Sequence, residues 1–429
     1  MTAIELADDV IILDDGLFMP AVVASQERNR DPTENSMRKI GALPDDLYLD
    51  KKKLRNKVRA LLISHAHLDH VGALPYNSKR YNAPIVGTPF TMEVLKTLSQ
   101  DSNNPVRNKI VEVEPNDFFI VKGKKRNYKA EFVNITHSTI QTACIAVHTP
   151  EGIVLYVNDY KLDNTPTFGA KPNYRRLKQL SKIGIKALII NCLYAHADIK
   201  TPSEKIAKTL LEDVFFQIDN SQNGMVITTF SSHISRLKTI TEFGRKLGRE
   251  VVFLGRSLNK YVNAAQNSGN APFKNKIKLY TYKRQLEREL RKINKKKNDY
   301  LIVCTGHQGE PGAILDRLSR DKLPYRLSRE DNVIFSSKTI PTPISEENRE
   351  KLGKRLRKHN VRVFDNVHVS GHGGREDLRE MIKITNPENI IPAHGDLKKL
   401  QAGVDLAQEM GYKLNKNVFI PADNRVIKI

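Results

Sequence analysis

His65-Ala66-His67-Leu68-Asp69-His70 sets three imidazoles and a carboxylate within six residues, directly after the apolar, strand-like run Val58 to Ser64. That composition and spacing suit metal binding. On an extended segment side chains alternate, so His65 and His67 point the same way, while Asp69 and His70 come round as the chain turns. Two pairs of ligands can therefore face two neighbouring ions. Imidazole and carboxylate donors suit Zn²⁺, with Mn²⁺ a substitute where carboxylate and water dominate. A His-rich surface turn is the bland alternative, and it leaves the spacing unexplained.

Further candidates stand where ligands usually stand, at the ends of apolar strands. His137 follows Phe132 to Thr136, Asp159 follows Val154 to Asn158, and His394 follows Ile390-Ile391-Pro392-Ala393. Each taken alone reads equally as a cap or turn former. Strand-like runs at Val10 to Leu13, Val58 to Ser64, Pro84 to Gly87, Ala130 to Thr136, Ala143 to Thr149 and Gly152 to Val157 make the first part β-rich, with layered sheets and polar loops. From about Pro202 the rhythm changes to alternating helices and strands, which predicts an α/β domain on a parallel sheet. If His394 completes a site begun at His65, that α/β segment is an insertion within one catalytic domain. The expected division is residues 1–203 for the first part of the core, 204–362 for the insertion and 363–429 for the return.

Bulk properties bound the function. The 429 residues offer ample chain for real cores, and no apolar run approaches the roughly 18 residues of a membrane-spanning helix, so no membrane partner is expected. The amino-terminal stretch has neither a basic leader nor a small-residue cleavage site, and Cys144, Cys192 and Cys304 are widely spaced, so a cytoplasmic protein with reduced thiols is expected. Lys plus Arg number 70 against 48 Asp plus Glu, a formal +22. Solubility alone asks for a charge of about 2 to 8 in a small domain, so a polyanion is the natural partner. The basic residues cluster at Lys51 to Lys53, Lys122 to Lys129, Lys283 to Lys297 and Lys351 to Lys358. Solvated helix faces are the competing reading, and Glu287 and Glu289 favour it for the third cluster.

Taken in order, HxHxDH, a His, an Asp and a final His in a strand-Pro-Ala-His-Gly context resemble the metallo-β-lactamase superfamily of hydrolases. Within it the chain resembles the β-CASP nucleases, and most of all ribonuclease J. The supporting segments include Ile12 to Pro20, Ile135 to Ser138, Tyr156 to Asp163, Thr229 to Ser232, Thr305 to Pro311, Val333 to Ser337 and His368 to Gly373. The short stretch after His394 resembles the archaeal-type form. This resemblance implies an αββα sandwich core with an inserted β-CASP α/β domain. It implies His65, His67 and His137 on one Zn²⁺, Asp69, His70 and His394 on a second, and Asp159 bridging, with Asp14 bracing the ligating histidines. It further implies catalytic roles for Asp69, Asp159 and His372, the last contacting the scissile phosphate, and a 5′-phosphate seat near Ser231, Ser232 and Ser370.

The expected activity is two-metal hydrolysis of single-stranded RNA, 5′ to 3′ from 5′-monophosphate ends, by a protein whose relatives often form homodimers. Two alternatives stay open: an RNA-processing endonuclease of the same fold, or a DNA-acting relative; and an RNA-binding factor with attenuated catalysis. The last is motivated by Asn191, which stands where the family usually has an acid, since an amide cannot shuttle a proton. Asp198 is a nearby acid, but its spacing is wrong for a direct match, and Pro341-Thr342-Pro343 stands where family members often have Pro-Gly-Asn.

Overall fold

The run Val58–Ile63 is apolar at nearly every position, the pattern of a strand covered on both faces. In the computed structural model, which describes residues 1–25, 33–101 and 104–429, it is the middle strand of a five-stranded sheet. The order across that sheet is Thr2–Leu6, Asp9–Leu13, Val58–Ile63, Ile85–Gly87, Ile110–Glu112. Only the first pair is antiparallel. A second, six-stranded sheet runs Asn389–Ala393, Ile185–Asn191, Gly152–Val157, Ala143–Thr149, Asn127–Asn134, Phe118–Lys122. Its first three strands are parallel and the rest antiparallel.

The two sheets share one core, with Ile11, Leu13 and Leu62 on one side and Phe132, Ile145 and Tyr156 on the other. Helices cover the outer faces. Leu177 and Leu180 of Tyr174–Ile183, Met381 of Arg375–Thr385 and Val404 of Leu397–Glu409 close the second sheet, while Pro89–Asp101 packs along the edge of the first through Phe90, Met92 and Leu95. The result is the expected helix–sheet–sheet–helix sandwich. It is one compact unit, made of Met1–Ser25, the chain up to Pro202 and the return segment Gly371–Ile429.

Ser203–Ser370 forms the other compact unit. Its six strands, in the order Ile277–Tyr280, Glu250–Leu254, Tyr300–Cys304, Met225–Thr228, Asn332–Phe335, Arg362–Phe364, are all parallel. The return to the first unit comes at Gly371 rather than at residue 363 as the sequence suggested. Arg362–Phe364 is still paired in register with Asn332–Ile334, and an edge strand cannot leave its sheet without losing its ladder. A buried ion pair anchors this unit. Arg236 is fully buried and grips both oxygens of Glu204, at 2.6 and 2.9 Å, while donating to the Ser336 carbonyl and hydroxyl. Among the described residues no helix is long and apolar enough to cross a membrane.

Candidate metal centre

Parallel pairing brings the carboxyl ends of several strands to one edge of the sandwich. Val157 is level with Ile190, Asn191 with Ala393, and Leu13 with Leu62. The residues just beyond those ends, Asp14, His65, Asp159 and His394, are therefore gathered from four separated stretches of chain. The crevice beyond strand carboxyl ends is where α/β sheets place ligands. After His67 the chain turns into the one-turn helix Leu68–Val71, which swings Asp69 and His70 back toward the same point. Gly16 fixes that turn from outside: a Cβ there would lie 1.6 Å from the Asp69 carbonyl oxygen, so the loop after Asp14 can press this close only as glycine. Asp14 and His394 both take left-handed backbone (φ +52° and +59°), which aims their side chains away from the line of their strands.

The side chains form two groups sharing one carboxylate. In the first, His67 Nδ1 lies 3.1 Å from both His65 Nε2 and His137 Nε2, and Asp159 Oδ2 is 3.5 Å from each of the latter two. In the second, His70 Nε2 stands 3.4 Å from Asp159 Oδ2 and 3.7 Å from Asp69, and His394 is 3.8 Å from both Asp69 and Asp159. Within each group the donor atoms lie within 4.8 Å of one another. All seven residues belong to the sandwich unit.

A second layer of hydrogen bonds fixes which nitrogen of each ring faces inward. Asp14 accepts from the Ser64 amide and hydroxyl (2.7 Å each), from Tyr156 OH (2.9 Å) and from His70 Nδ1 (2.7 Å). His70 must donate there, so its Nε2 is the nitrogen left to face Asp159. Ser64, having given its proton to Asp14, accepts from His65 Nδ1 at 3.0 Å and leaves His65 Nε2 as a lone pair. The Gly371 carbonyl does the same for His137 Nδ1 at 2.7 Å. Asn191 donates its amide to Asp159 Oδ1 at 2.7 Å and is held in turn by the Leu193 N–H on its own oxygen.

Electrostatics favour the ligand forms of the first group and of Asp159, while His70 is drawn toward its protonated form. Burial pushes His65 below its ordinary range, His137 well below, and His67 down to about 3, so all three are neutral. Burial alone would raise Asp159, but His394, His372, His70 and His65 together outweigh it and hold the carboxyl well below its usual range. For Asp14 burial is likewise outweighed, chiefly by His70. Burial disfavours charge on His70, yet Asp159, Asp69 and Asp14 raise it well above an ordinary histidine.

These residues fit a pair of divalent cations. Asp159 Oδ2 and His70 Nε2 are buried without a hydrogen-bond partner among the described residues, in a structure where nearly all such atoms are expected to be paired. Neutral imidazoles turned lone pair to lone pair have no proton between them, and a cation is the partner they lack. The donors are nitrogen and oxygen only, the set that suits Zn²⁺ or Mn²⁺.

His372 joins this cluster, its Nδ1 3.8 Å from Asp159 Oδ1 and its ring stacked toward His394. Burial lowers its pKa. Ser231, Ser232 and Ser370 lie in the other unit, where Ser231 shares a hydrogen bond with Ser257 at 3.0 Å. The helix Ile234–Lys246 is capped by His233, whose ring nitrogen reaches the Arg236 N–H, and not by Ser231 or Ser232. Asp198 is no substitute acid: it is 87% exposed and pairs with Arg375. Thr342 caps the helix Pro343–Lys358, which gives Pro341-Thr342-Pro343 a local structural purpose. Ser64, Tyr156 and the Gly371 carbonyl were not singled out from sequence.

Comparison with known proteins agrees with this geometry. Family models match residues 31–182 (metallo-beta-lactamase superfamily), 222–350 (ribonuclease J, beta-CASP domain) and 358–421 (Zn-dependent metallo-hydrolase RNA specificity domain). The chain is 39% identical to a ribonuclease J of Pyrococcus abyssi, covering all of this chain and 94% of the relative, and 38% identical to one of Methanocaldococcus jannaschii over 98% and 93%. A Synechocystis ribonuclease J is 28% identical, with this chain spanning 61% of it. A crystal structure of a protein of unknown function from Enterococcus faecalis shares the fold, with a TM-score of 0.60 at 16% identity over 92% of this chain and 91% of that one.

Proposed function

Because the chain belongs to the ribonuclease J family, we propose that it is a metal-dependent ribonuclease of RNA processing that hydrolyses single-stranded RNA 5′ to 3′ and prefers 5′-monophosphate ends. The observation that carries this reading is the convergence of six further ligand side chains on the buried Asp159 carboxylate. His65, His67, His137 and Asp159 would hold one divalent ion, Zn²⁺ in the first instance, and Asp69, His70, His394 and the same Asp159 a second. Two such ions would supply Lewis-acid stabilisation of a phosphate during in-line displacement.

The chain's own groups do the positioning. Asp14 and Ser64 hold His70 and His65 in the ligand tautomer, the Gly371 carbonyl does so for His137, and Asn191 pins Asp159. His372, adjoining Asp159 and His394, is the group we assign to contact the scissile phosphate and move a proton to the leaving oxygen. Ser231, Ser232 and Ser370 are assigned to the 5′-phosphate. An attenuated RNA-binding factor is the second reading, supported by the amide at Asn191, which has no proton to shuttle.

Metal analysis of the purified chain, combined with end-labelled RNA, tests the proposal. The expected result is two divalent ions per chain, mononucleotides released from the 5′ end, and faster decay of 5′-monophosphate than 5′-triphosphate RNA. Internal fragments would replace the exonuclease with an endonuclease, and equal rates would remove the 5′-phosphate seat.

A further inference from the structure

The formal charge of +22 is not spread evenly over free side chains. On the helix Pro343–Lys358 two of the three lysines are spoken for, Lys351 by Glu347 at 2.6 Å and Lys354 by Glu350 at 2.7 Å, each one helical turn apart, which leaves Arg357 and Lys358 exposed on the last turn. Arg355 and Arg349 are tied to Asp316 and Asp365. The helix Lys283–Ile293 is different, although its sequence also interleaves acids. Leu286, Leu290 and Ile293 point into the core of the parallel-sheet unit. Glu289 goes under with them, buried and paired to Lys292, and Glu287 reaches across to Arg317.

What stays on the outer face is a stripe of one sign. Arg284, Arg288 and Arg291 follow one another at spacings of four and three, opposite the buried leucines, and all three are exposed. None has an ion pair among the described residues. Their attachment points rise about 6 and 4.5 Å apart along the axis. Lys295 and Lys296 extend the charge beyond the helix end, and Tyr282, 75% exposed, stands at its start. A guanidinium fork matches a phosphate better than any other side chain, and an exposed aromatic beside it offers a face for a base.

We propose that this outer face of Lys283–Ile293 is an RNA-anchoring surface, on which Arg284, Arg288 and Arg291 bind the phosphates of a single strand and Tyr282 stacks a base. It rests on the reading of RNA as substrate, and it is carried by the unit that holds none of the proposed metal ligands.

The test uses the full chain in chelator, so that nothing is cut, with a fluorescent unstructured 30-nucleotide RNA titrated across a range of salt concentrations. Each phosphate contact on a single strand adds about 0.7 to the slope of log affinity against log salt. The triple variant R284Q/R288Q/R291Q is expected to lose about 2 from that slope and to bind about 100-fold more weakly near 0.1 M salt. R284K/R288K/R291K should keep the slope, K351Q/K354Q should match the unmodified protein, and Y282A should weaken binding about fivefold or more with the slope unchanged. An unaltered slope in the triple glutamine variant overturns the proposal. Cleavage by the metal-loaded protein is scored separately: cleavage with an unaltered slope removes only the anchoring face, whereas salt-sensitive binding without cleavage removes only the nuclease reading.

Discussion

Replacing Asn191 by aspartate restores the acid usual in the family, and the structure predicts that it will harm the site rather than repair it. Asn191 is buried, and its amide donates to Asp159 Oδ1 at 2.7 Å. An aspartate there sets a second carboxylate against the shared one. The charge-assisted hydrogen bond is lost, worth about 1.5–3 kcal/mol, and like charges at this separation cannot both ionise freely. Partners that orient metal ligands typically cost about 10–100-fold in metal affinity or activity when changed, which agrees with that energy. Metal affinity by competition with a chelating dye and single-turnover cleavage should therefore both fall by about that factor. The deficit should shrink as pH falls, because the introduced carboxyl, once protonated, can donate to Asp159 as the amide does; N191L, which has no proton to give, should show no such recovery. Tighter or unchanged metal binding together with faster cleavage by N191D would refute this reasoning and make Asn191 the mark of an attenuated enzyme.

Other perturbations test the same physics elsewhere. D14N can leave an oxygen for the Ser64 amide but puts an NH2 where Oδ2 accepts three hydrogen bonds, including the one that sets the His70 tautomer, and should weaken metal binding about 10–100-fold by dye competition. G16A drives a methyl into the Asp69 carbonyl and should lower both the melting temperature and the bound metal; a fully loaded, equally stable G16A would show that the loop can retreat. R236A strands the Glu204 carboxylate and should cost about 3–5 kcal/mol in urea unfolding at pH 7. In the unmodified protein burial opposes ionisation of Glu204, but Arg236 and His233 hold its pKa well below the usual value. Its stabilisation is therefore complete above pH ~4.3 and lost only as pH falls through the lower folded value. In R236A only His233 remains to oppose burial and the pKa rises, so the variant should gain relative stability between pH 7 and about 4.5; a constant deficit would contradict the assignment.

The metal ligands were legible because they obey two short-range rules, a dense His-Asp cluster and donors just past apolar strands. The same rules made several sandwich strands legible, as at Ala143–Thr149 and Gly152–Val157, but placed the start of Asn127–Asn134 three residues late and passed over Ile110–Glu112 and Phe118–Lys122. What escaped were contacts made across the fold. Tyr156 reads in sequence as one more apolar strand residue, and only the meeting of the two sheets puts its hydroxyl on Asp14. The Gly371 carbonyl has no sequence signature at all, since every residue carries one. The short strand Thr2–Leu6 and the helix Tyr174–Ile183 went unnoticed for a related reason: each buries a narrow stripe, only Leu177 and Leu180 in the helix, amid polar neighbours.

Charge runs show the limit most sharply. Lys283–Ile293 and Pro343–Lys358 look alike in sequence, with Glu interleaved among Lys and Arg, and composition gives no ground for treating them differently. The difference lies in phase. In Pro343–Lys358, Glu347 and Glu350 each precede a lysine by four residues on the solvent side, where each pair closes and the middle of the face is neutralised, with only Arg357 and Lys358 of the last turn left exposed and without an ion pair among the described residues. In Lys283–Ile293, Glu289 falls on the buried side among Leu286, Leu290 and Ile293, and the stripe at 284, 288 and 291 keeps its charge. Which acid is buried depends on where the helix is pressed against its sheet, a tertiary fact. Two runs of similar formal charge thus present very different fields to a polyanion, and the salt slopes of their respective variants should separate by about 2.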